Sequence, residues 1–583
     1  MIIRKTKGLF IAVLFSLLLP AMAFAEAEGI VRFGVTPTAL QNEFFDGHGR
    51  NGYLPVRLTG YKVGNSTRYF TRWMQNTGNK AWYGYFGKTL AEFDQIYLTM
   101  KAQGFYPVDV SGYDTPSGIR YAVIYHKNTN GVGWLLYRHT TRQGMQTLVD
   151  TVGSRGWVPH RVEAYESNDE SRYVSIWYHQ PGTGYYMHNK MTRQQYDNHL
   201  NDYKQNDYLP VHLDAHTVNG EVYYSGIWKH VNSAWAIRTN RDWRKFQRYY
   251  NNYWAAGFNI DNFYAAETPS GIRYGGIWFF DGVPQVNNNS SLSLKIRKEI
   301  DSAKARGGAA VINVTTGQQV MVHADQEFAI ASTSKIGVLY ALLREIDLGN
   351  DSWFSVMNSG AQFGTNQGDW LQPNTNYTVK QMAEFMIRSS NNWATNRLIE
   401  RLGAATINTR LDQLGLDVTR IHRYMTGTGA PSMHGNSSAG ADRSEGWENK
   451  STPREMVTLL KKVLQDNVLS NISETRFWNT LKMDSNNNGV NEKSYIASTV
   501  GPMFNPAISV WNKGGSLTGA PRYVRADAGR FQFPDGQEVL VAIFMDDISD
   551  DPDDFDTASD ATINAAVDAI KDVAKLIANQ YYN

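Results

Sequence analysis

From residue 36 to residue 282 the apolar and polar positions recur with a period of about 51 residues. One line of the pattern is Gly52-Tyr53-Leu54-Pro55-Val56, Gly104-Phe105-Tyr106-Pro107-Val108, Gly156-Trp157-Val158-Pro159, Asp207-Tyr208-Leu209-Pro210-Val211 and Gly257-Phe258-Asn259-Ile260. A second is Arg68-Tyr69, Arg120-Tyr121, Arg172-Tyr173, Tyr223-Tyr224 and Arg273-Tyr274, each followed four residues after the tyrosine by an aromatic: Trp73, Tyr125, Trp177, Trp228 and Trp278. Short alternating runs such as Arg172–Trp177 predict strands. Thr89–Gln103 and Thr192–Asn206 have helical spacing and begin with a threonine suited to N-capping. Each unit is therefore one helix and about three strands. Thr36–Arg50 supplies a helix with no strands before it, and the fifth copy stops at Gly282 with no helix after it. Counting each helix with the strands that follow gives five of each. Repeats of this length build solenoids or propellers, and closure into a propeller-like ring would remove exposed sheet edges. The periodic aromatics have two readings, as each unit's core or as a stacking surface for a glycan or peptide ligand.

The pattern changes after an Asn- and Ser-rich stretch, 283–293, which reads as a linker. Beyond it, Lys295–Ala305 is predicted helical, Ala309–Val314 and Gln319–Val322 form a hairpin, and helices follow at Val379–Leu402 and Pro453–Gln465. Strands are predicted at Ala507–Trp511, Tyr523–Phe531 and Val539–Met545, before a closing helix at Ala558–Ala578. Strands at both ends with helices between them fit an α+β architecture. In that α/β sandwich an antiparallel sheet is shared by both ends of the domain and joined to a helical subdomain. The expected organisation is a signal peptide over 1–25, repeats over 26–282, the linker, and a second domain over 294–583.

Composition narrows the chemistry. Arg4, Lys5 and Lys7, an apolar core from Leu9 to Pro20, and Ala23-Phe24-Ala25 read as a secretory signal, so the protein is expected to be exported, periplasmic or secreted. The apolar run is shorter than a membrane span needs, so no span is expected after cleavage. The chain has no cysteine, which excludes disulfides, thiol catalysis and cysteine-ligated metals. A net charge of +2 gives no reason to expect a nucleic-acid partner. Asp484-Ser485-Asn486-Asn487-Asn488-Gly489 begins like a calcium loop, but its twelfth position is Tyr495 in place of glutamate. A polar turn is expected there, with no metal and no cofactor. Seven aspartates within Asp546–Asp556 are expected to form a solvated connection before the last helix.

The candidate chemistry lies in the second domain. Ser332-Thr333-Ser334-Lys335 is the only Ser-x-x-Lys in the chain. A lysine three residues after a serine lies over the same helical face, where a neutral amine can take the hydroxyl proton and so make a nucleophile. Ser390-Asn391-Asn392 follows about 58 residues later, with Asn396 beyond it, and Lys513-Gly514-Gly515-Ser516 follows the apolar strand Ala507–Trp511. This ordered set resembles the motifs of serine β-lactamases and penicillin-binding proteins, and Phe328–Lys335 is especially similar to the first motif of class A β-lactamases. The repeats resemble bacterial tandem-repeat modules that precede such domains, and the whole arrangement resembles secreted polyglycine hydrolases.

The resemblance implies that Ser332 is the acylated nucleophile, Lys335 its base and Ser390 a proton relay to the leaving nitrogen. Asn392 would bind a substrate carbonyl and the Lys335 amine, and Lys513 would lie near Ser390. Gly514 and Gly515 would let substrate lie along the strand edge, with the Ser332 and Ser516 N–H groups holding the oxyanion. Asn391, in the usual aspartate's place, is expected to be structural. One departure matters. Asp417–Tyr424 is similar to the lead-in of the class A loop that carries a deacylating glutamate, but the next residue is Met425, followed by Thr426-Gly427-Thr428-Gly429. A thioether cannot take a proton from water. Glu445 or Glu448 would have to fold back from the loop Ala430–Lys450, against the alternative of solvated loop glutamates. The expected function is an exported serine hydrolase acting through an acyl-enzyme on peptide or peptidoglycan-like amide bonds, with repeats that position substrate. The alternatives are a serine β-lactamase and a catalytically weak binding protein.

Overall fold

The structure, a computed structural model, describes residues 30–45, 47–282, 290–366, 371–425, 448–482, 494–518 and 523–582. The predicted signal, most of the linker, the calcium-like segment, Thr426–Gly429 and Glu445 lie outside them. The chain falls into two compact units, one ending at His230 and the other running from Val231 to Asn583.

Every repeat has the same internal plan: a strand, a helix and a two-stranded hairpin, giving a three-stranded sheet in the order first, third, second. The first unit is complete, because Ile30–Val35 precedes its helix Pro37–Phe45 and pairs with Ser66–Gln75. This corrects the expectation of a helix with no strand before it. The predicted N-caps form. Thr89 and Thr192 accept from the backbone of Glu92 and Gln195, whose side chains reach back in capping boxes. A β-bulge follows Pro55, Pro107, Pro159 and Pro210, and also Ile260 in the fifth unit. A proline has no N–H to give a ladder, which suits it to a bulge. The aromatics four residues after the periodic tyrosines, Trp73, Tyr125, Trp177, Trp228 and Trp278, are all fully buried, so these positions are core. The five sheets are separate, with no strand of one paired to another among the described residues.

Within the first compact unit, neighbouring repeats are tied by buried polar side chains. Leu58 N donates to Asp109 Oδ2 at 2.7 Å and Ala164 N to Asp214 Oδ2 at 2.8 Å, while Arg161 Nε reaches Asp109 Oδ1 at 3.0 Å. Burial pushes Asp214 up to about 7, against the downward pull of the Ala164 and Ala215 amides. A carboxyl displaced upward in the folded state favours folding most below its unfolded pKa, and that contribution is lost as pH rises through the folded value. Asp214→Asn should therefore melt progressively higher than the wild type as pH rises from about 4 to 8. The gain is on the order of 1.4 kcal/mol per unit of displacement. Differential scanning calorimetry of the pair checks this, and a gap that narrows with pH contradicts it.

In the second unit the sheet is antiparallel, in the order Gln319–Val322, Arg306–Asn313, Glu538–Asp546, Val524–Gln532, Ser509–Leu517. Strand alternation sends Ala310 and Ile312 to one face and Ala309 and Val311 to the other. The first face packs on the helical subdomain. The second is covered by Leu292–Ser302 and Asp560–Tyr581, so helices from both ends of the domain share one layer. The predicted helix Val379–Leu402 is in fact two, Val379–Arg388 and Asn392–Leu402. The helices Ala404–Asp412 and Asn471–Leu481 were not anticipated. The aspartate run is solvated only in part: Asp550, Asp551, Asp554 and Asp556 are exposed as expected, but its first two members are not. Asp546 and Asp547 are fully buried, and Asp550 accepts from Ser559 N and the Thr562 hydroxyl at the start of the last helix.

Candidate active site

The turn that carries Ser332 is held from both sides. Phe328–Ala329 pairs with Lys450–Ser451, and Ile330 N donates to Asn449 O at 3.1 Å. Ala331 then adopts φ 45°, a left-handed conformation that alanine rarely takes and that recurs at functional sites. Ser332 lies half-buried in the 3-10 turn Ala331–Ser334, and the α-helix begins only at Lys335. Ser332 therefore precedes the helix that carries Lys335.

Lys335 is fully buried. Its Nζ donates to Ser390 O at 2.7 Å and Asn392 Oδ1 at 2.8 Å, and lies 3.1 Å from Ser390 Oγ. The first two partners are pure acceptors. The hydroxyl can accept from an ammonium or donate to an amine, so this arrangement can pass a proton in either direction. The break between the two helices makes it possible. Ser390 has φ 54°, and at this turn both its carbonyl and its hydroxyl meet the lysine. Asn391 is buried and caps the second helix, its Oδ1 accepting from Ala394 N at 2.9 Å, while its amide donates to Asn366 Oδ1. Its place is structural.

Lys513, Gly514, Gly515 and Ser516 lie within the strand Ser509–Leu517, at the edge of the sheet, and not in a turn after it. Thr333 Oγ1 donates to Lys513 O at 3.3 Å, joining the strand to the turn that carries Ser332. Gly515 meets that turn so closely that a Cβ would lie 2.7 Å from Ile330 O and 2.8 Å from Thr333 N. Its smallness serves this approach. Lys513 is buried, and its Nζ donates to Gly514 O. Ser516 is half-buried opposite Arg525, a cation that the sequence reading did not single out. Beneath the strand, Asp527 accepts from Asn512 Nδ2 at 2.7 Å and Ile496 N at 3.0 Å. Burial raises Asp527 to about 6, with these donors and the Lys513 charge pulling it down.

Asn396 grips the backbone of Met425, accepting from its N–H at 2.6 Å and donating to its carbonyl at 2.8 Å. The same amide donates to Phe363 O at 2.9 Å. Asn449 Nδ2 lies 3.8 Å from the Met425 sulfur, and the Asn449 carbonyl holds Ile330, two residues before Ser332. Asn449 thus links Met425 to the turn that carries Ser332. Glu448, weighed as a base, is an ion-pair partner instead: its carboxylate meets Arg423 Nη2 at 2.6 Å across the neck of the loop. The segment Phe363–Thr365 was missed. Thr365 O accepts from Asn392 N, and Gly364, at φ 102°, leaves no room for a Cβ beside Asn396. Its only sequence signal was one glycine.

Residues 291–581 match the model of the beta-lactamase enzyme family. Residues 29–76, 79–128, 131–180 and 182–231 match the model described as polyglycine hydrolase-like, structural repeat. Beta-lactamase ROB-1 of Haemophilus influenzae is 28% identical over 245 residues, 41% of this chain and 72% of that protein. A beta-lactamase of Streptomyces fradiae is 32% identical over 127 residues, 21% of this chain and 42% of that protein. Among solved structures, PBP-A aligns with a TM-score of 0.40 at 23% identity, covering 52% of this chain and 99% of that one. An ancestral class A beta-lactamase aligns at 0.41 and 20% identity, covering 50% and 100%. The C-terminal half of this chain is a β-lactamase-like serine hydrolase domain, and polyglycine hydrolase-like structural repeats precede it.

Proposed function

We propose that this chain is an exported serine hydrolase that cleaves amide bonds of peptide or cell-wall material through an acyl-enzyme on Ser332. The observation that carries this reading is the buried Lys335 amine, shared between Ser390 and Asn392 one turn from Ser332. Ser332 Oγ attacks the carbonyl carbon and Lys335 Nζ takes its proton. The oxyanion is held by the N–H groups of Ser332 and Ser516. The C–N bond breaks as Ser390 passes a proton to the leaving nitrogen, with the Lys513 charge favouring that transfer. Asn392 binds a substrate carbonyl. Water then hydrolyses the ester.

A peptide amine diffuses away and makes room for that water, whereas the nitrogen of an opened β-lactam stays tethered. Met425 offers no base to offset this, which favours peptide substrates. The β-lactamase reading draws on the names of the relatives, and Met425 stands against it. Export rests on the charged and apolar opening of the chain, and no described helix is long and apolar enough to cross a membrane. The repeats are assigned to substrate positioning, through exposed rings such as Tyr186, which stacks on Tyr203 with centroids 4.0 Å apart. Digestion of a peptide library by the full chain and by Ser332→Ala tests the reading. Cleavage that depends on Ser332 supports it, and identical product profiles overturn it in favour of a binding protein.

A further inference from the structure

The fifth repeat differs from the other four in what its helix carries. Counting from each N-cap, Arg244, Lys245 and Arg248 follow Asp242 by two, three and six residues. The same positions hold Thr38, Ala39 and Asn42 after Thr36, Ala91, Glu92 and Gln95 after Thr89, Gln143, Gly144 and Thr147 after Thr141, and Gln194, Gln195 and Asn198 after Thr192. None of these is a cation. The fifth repeat also lies beyond the four stretches matched by the repeat family, and it belongs to the same compact unit as the hydrolase.

The extra cations meet the aspartate run. Arg244 forms a two-pronged pair with the buried Asp547, and Arg248 donates to Asp547 O at 2.9 Å and to the Ser549 hydroxyl. Lys245 Nζ donates to Asp553 O at 2.7 Å, and Arg241 pairs with the Asp553 carboxylate. The contact continues inward. Asp547 Oδ2 lies 3.3 Å from Arg306 Nε, and Gln247, also on the repeat's helix, accepts from Arg306 at 3.2 Å. Arg306 makes a two-pronged pair with Asp546 and donates to Glu327 O at 2.8 Å. Asp546 accepts from Ala329 N at 3.1 Å, three residues before Ser332. Gln247, Arg248, Arg306, Asp546, Asp547 and Ser549 are buried, where a half-satisfied network would be costly, while Arg241, Arg244, Lys245 and Asp553 lie half-buried around them.

We propose that the fifth repeat is a positioning element of the hydrolase, its Arg244 and Gln247 fixing Glu327–Ala329 and hence the turn that presents Ser332. The inference rests on the reading of Ser332 as the nucleophile, so its test has one readout that does not. Full-length wild type, Arg244→Ala, Arg244→Lys, Gln247→Leu and Arg241→Ala are compared by hydrogen exchange in the peptide spanning Glu327–Ser332, and by the rate at which a fluorescent penicillin labels Ser332. Arg241→Ala serves as the control, because it loosens the same contact without touching Arg306 or Asp547.

Arg244→Ala and Gln247→Leu should raise exchange in that peptide and slow the acylation step by roughly 10- to 100-fold, with the affinity of the non-covalent complex unchanged. Arg244→Lys should recover part of the rate, and the control should keep wild-type values. If Arg244→Ala fails to fold, Gln247→Leu, which leaves Asp547 paired, carries the test. Wild-type exchange in Gln247→Leu would overturn the positioning role whatever the labelling. Slowed labelling shared equally by Arg241→Ala would also overturn it, reducing the contact to general stability. Absence of labelling in the wild type with raised exchange in the variants would instead overturn the reading of Ser332 and leave the coupling standing.

Discussion

Ser332→Ala is expected to take up no fluorescent penicillin or fluorophosphonate and to lose roughly 10⁴- to 10⁶-fold in turnover. The size of the effect follows from the chemistry, since the other two hydroxyls of that turn are committed to backbone carbonyls, Thr333 Oγ1 to Lys513 O and Ser334 Oγ to Ala331 O. Intact-protein mass spectrometry reads it directly, because the wild type should gain the whole mass of a β-lactam, whose ring opens without losing an atom. Lys335→Ala should also remain unlabelled, since it removes the base while leaving Ser332 in place. That variant strands Ser390 O and Asn392 Oδ1 without their donor, so its melting curve should be recorded beside the labelling. Labelling that persists in Ser332→Ala would remove the nucleophile from this site altogether.

Met425→Glu is expected to turn a stalled acyl-enzyme into a steadily turning one. The wild type should give a burst with nitrocefin and then almost no turnover. The variant should raise the deacylation rate by roughly 10²- to 10⁴-fold, the worth of a well-placed general base. The structure favours this substitution because Asn396 holds Met425 by its backbone N–H and carbonyl, contacts that do not depend on the side chain. A glutamate would therefore leave the chain at the same point, beside Asn449 and the Ser332 turn. Met425→Gln matches the shape without the base and should stall like the wild type. Steady nitrocefin hydrolysis by the wild type would mean that another group serves as base, and the reading of Met425 would fail.

Much of the site was legible in the sequence because it is written in local terms. Ser332 and Lys335 are three residues apart, and Asn391 caps a helix within its own turn. The contact of Asn396 with Met425, the residue in the glutamate's place, was not among the expectations, because it joins positions 29 residues apart. The misreadings share one cause. Helical periodicity runs through Val379–Leu402, yet the chain breaks at Ser390 so that Lys335, 55 residues away, can be satisfied. Glu448 looked like a solvated loop residue or a base until Arg423 took it.

By itself the sequence determined the repeat, its capped helices, most of the sheet strands and the order of the candidate site residues. Each of these depends on side-chain period, capping capacity or spacing over a few residues. Only the tertiary structure decided which charges are buried, since burial depends on partners the chain brings from far away. Asp546–Asp556 carries seven aspartates and, read alone, belongs in water. Arg244, 303 residues before Asp547, and Arg306, 240 before Asp546, supply the charge and hydrogen bonds that let two of those aspartates lie fully buried, at the contact between the last repeat and the hydrolase.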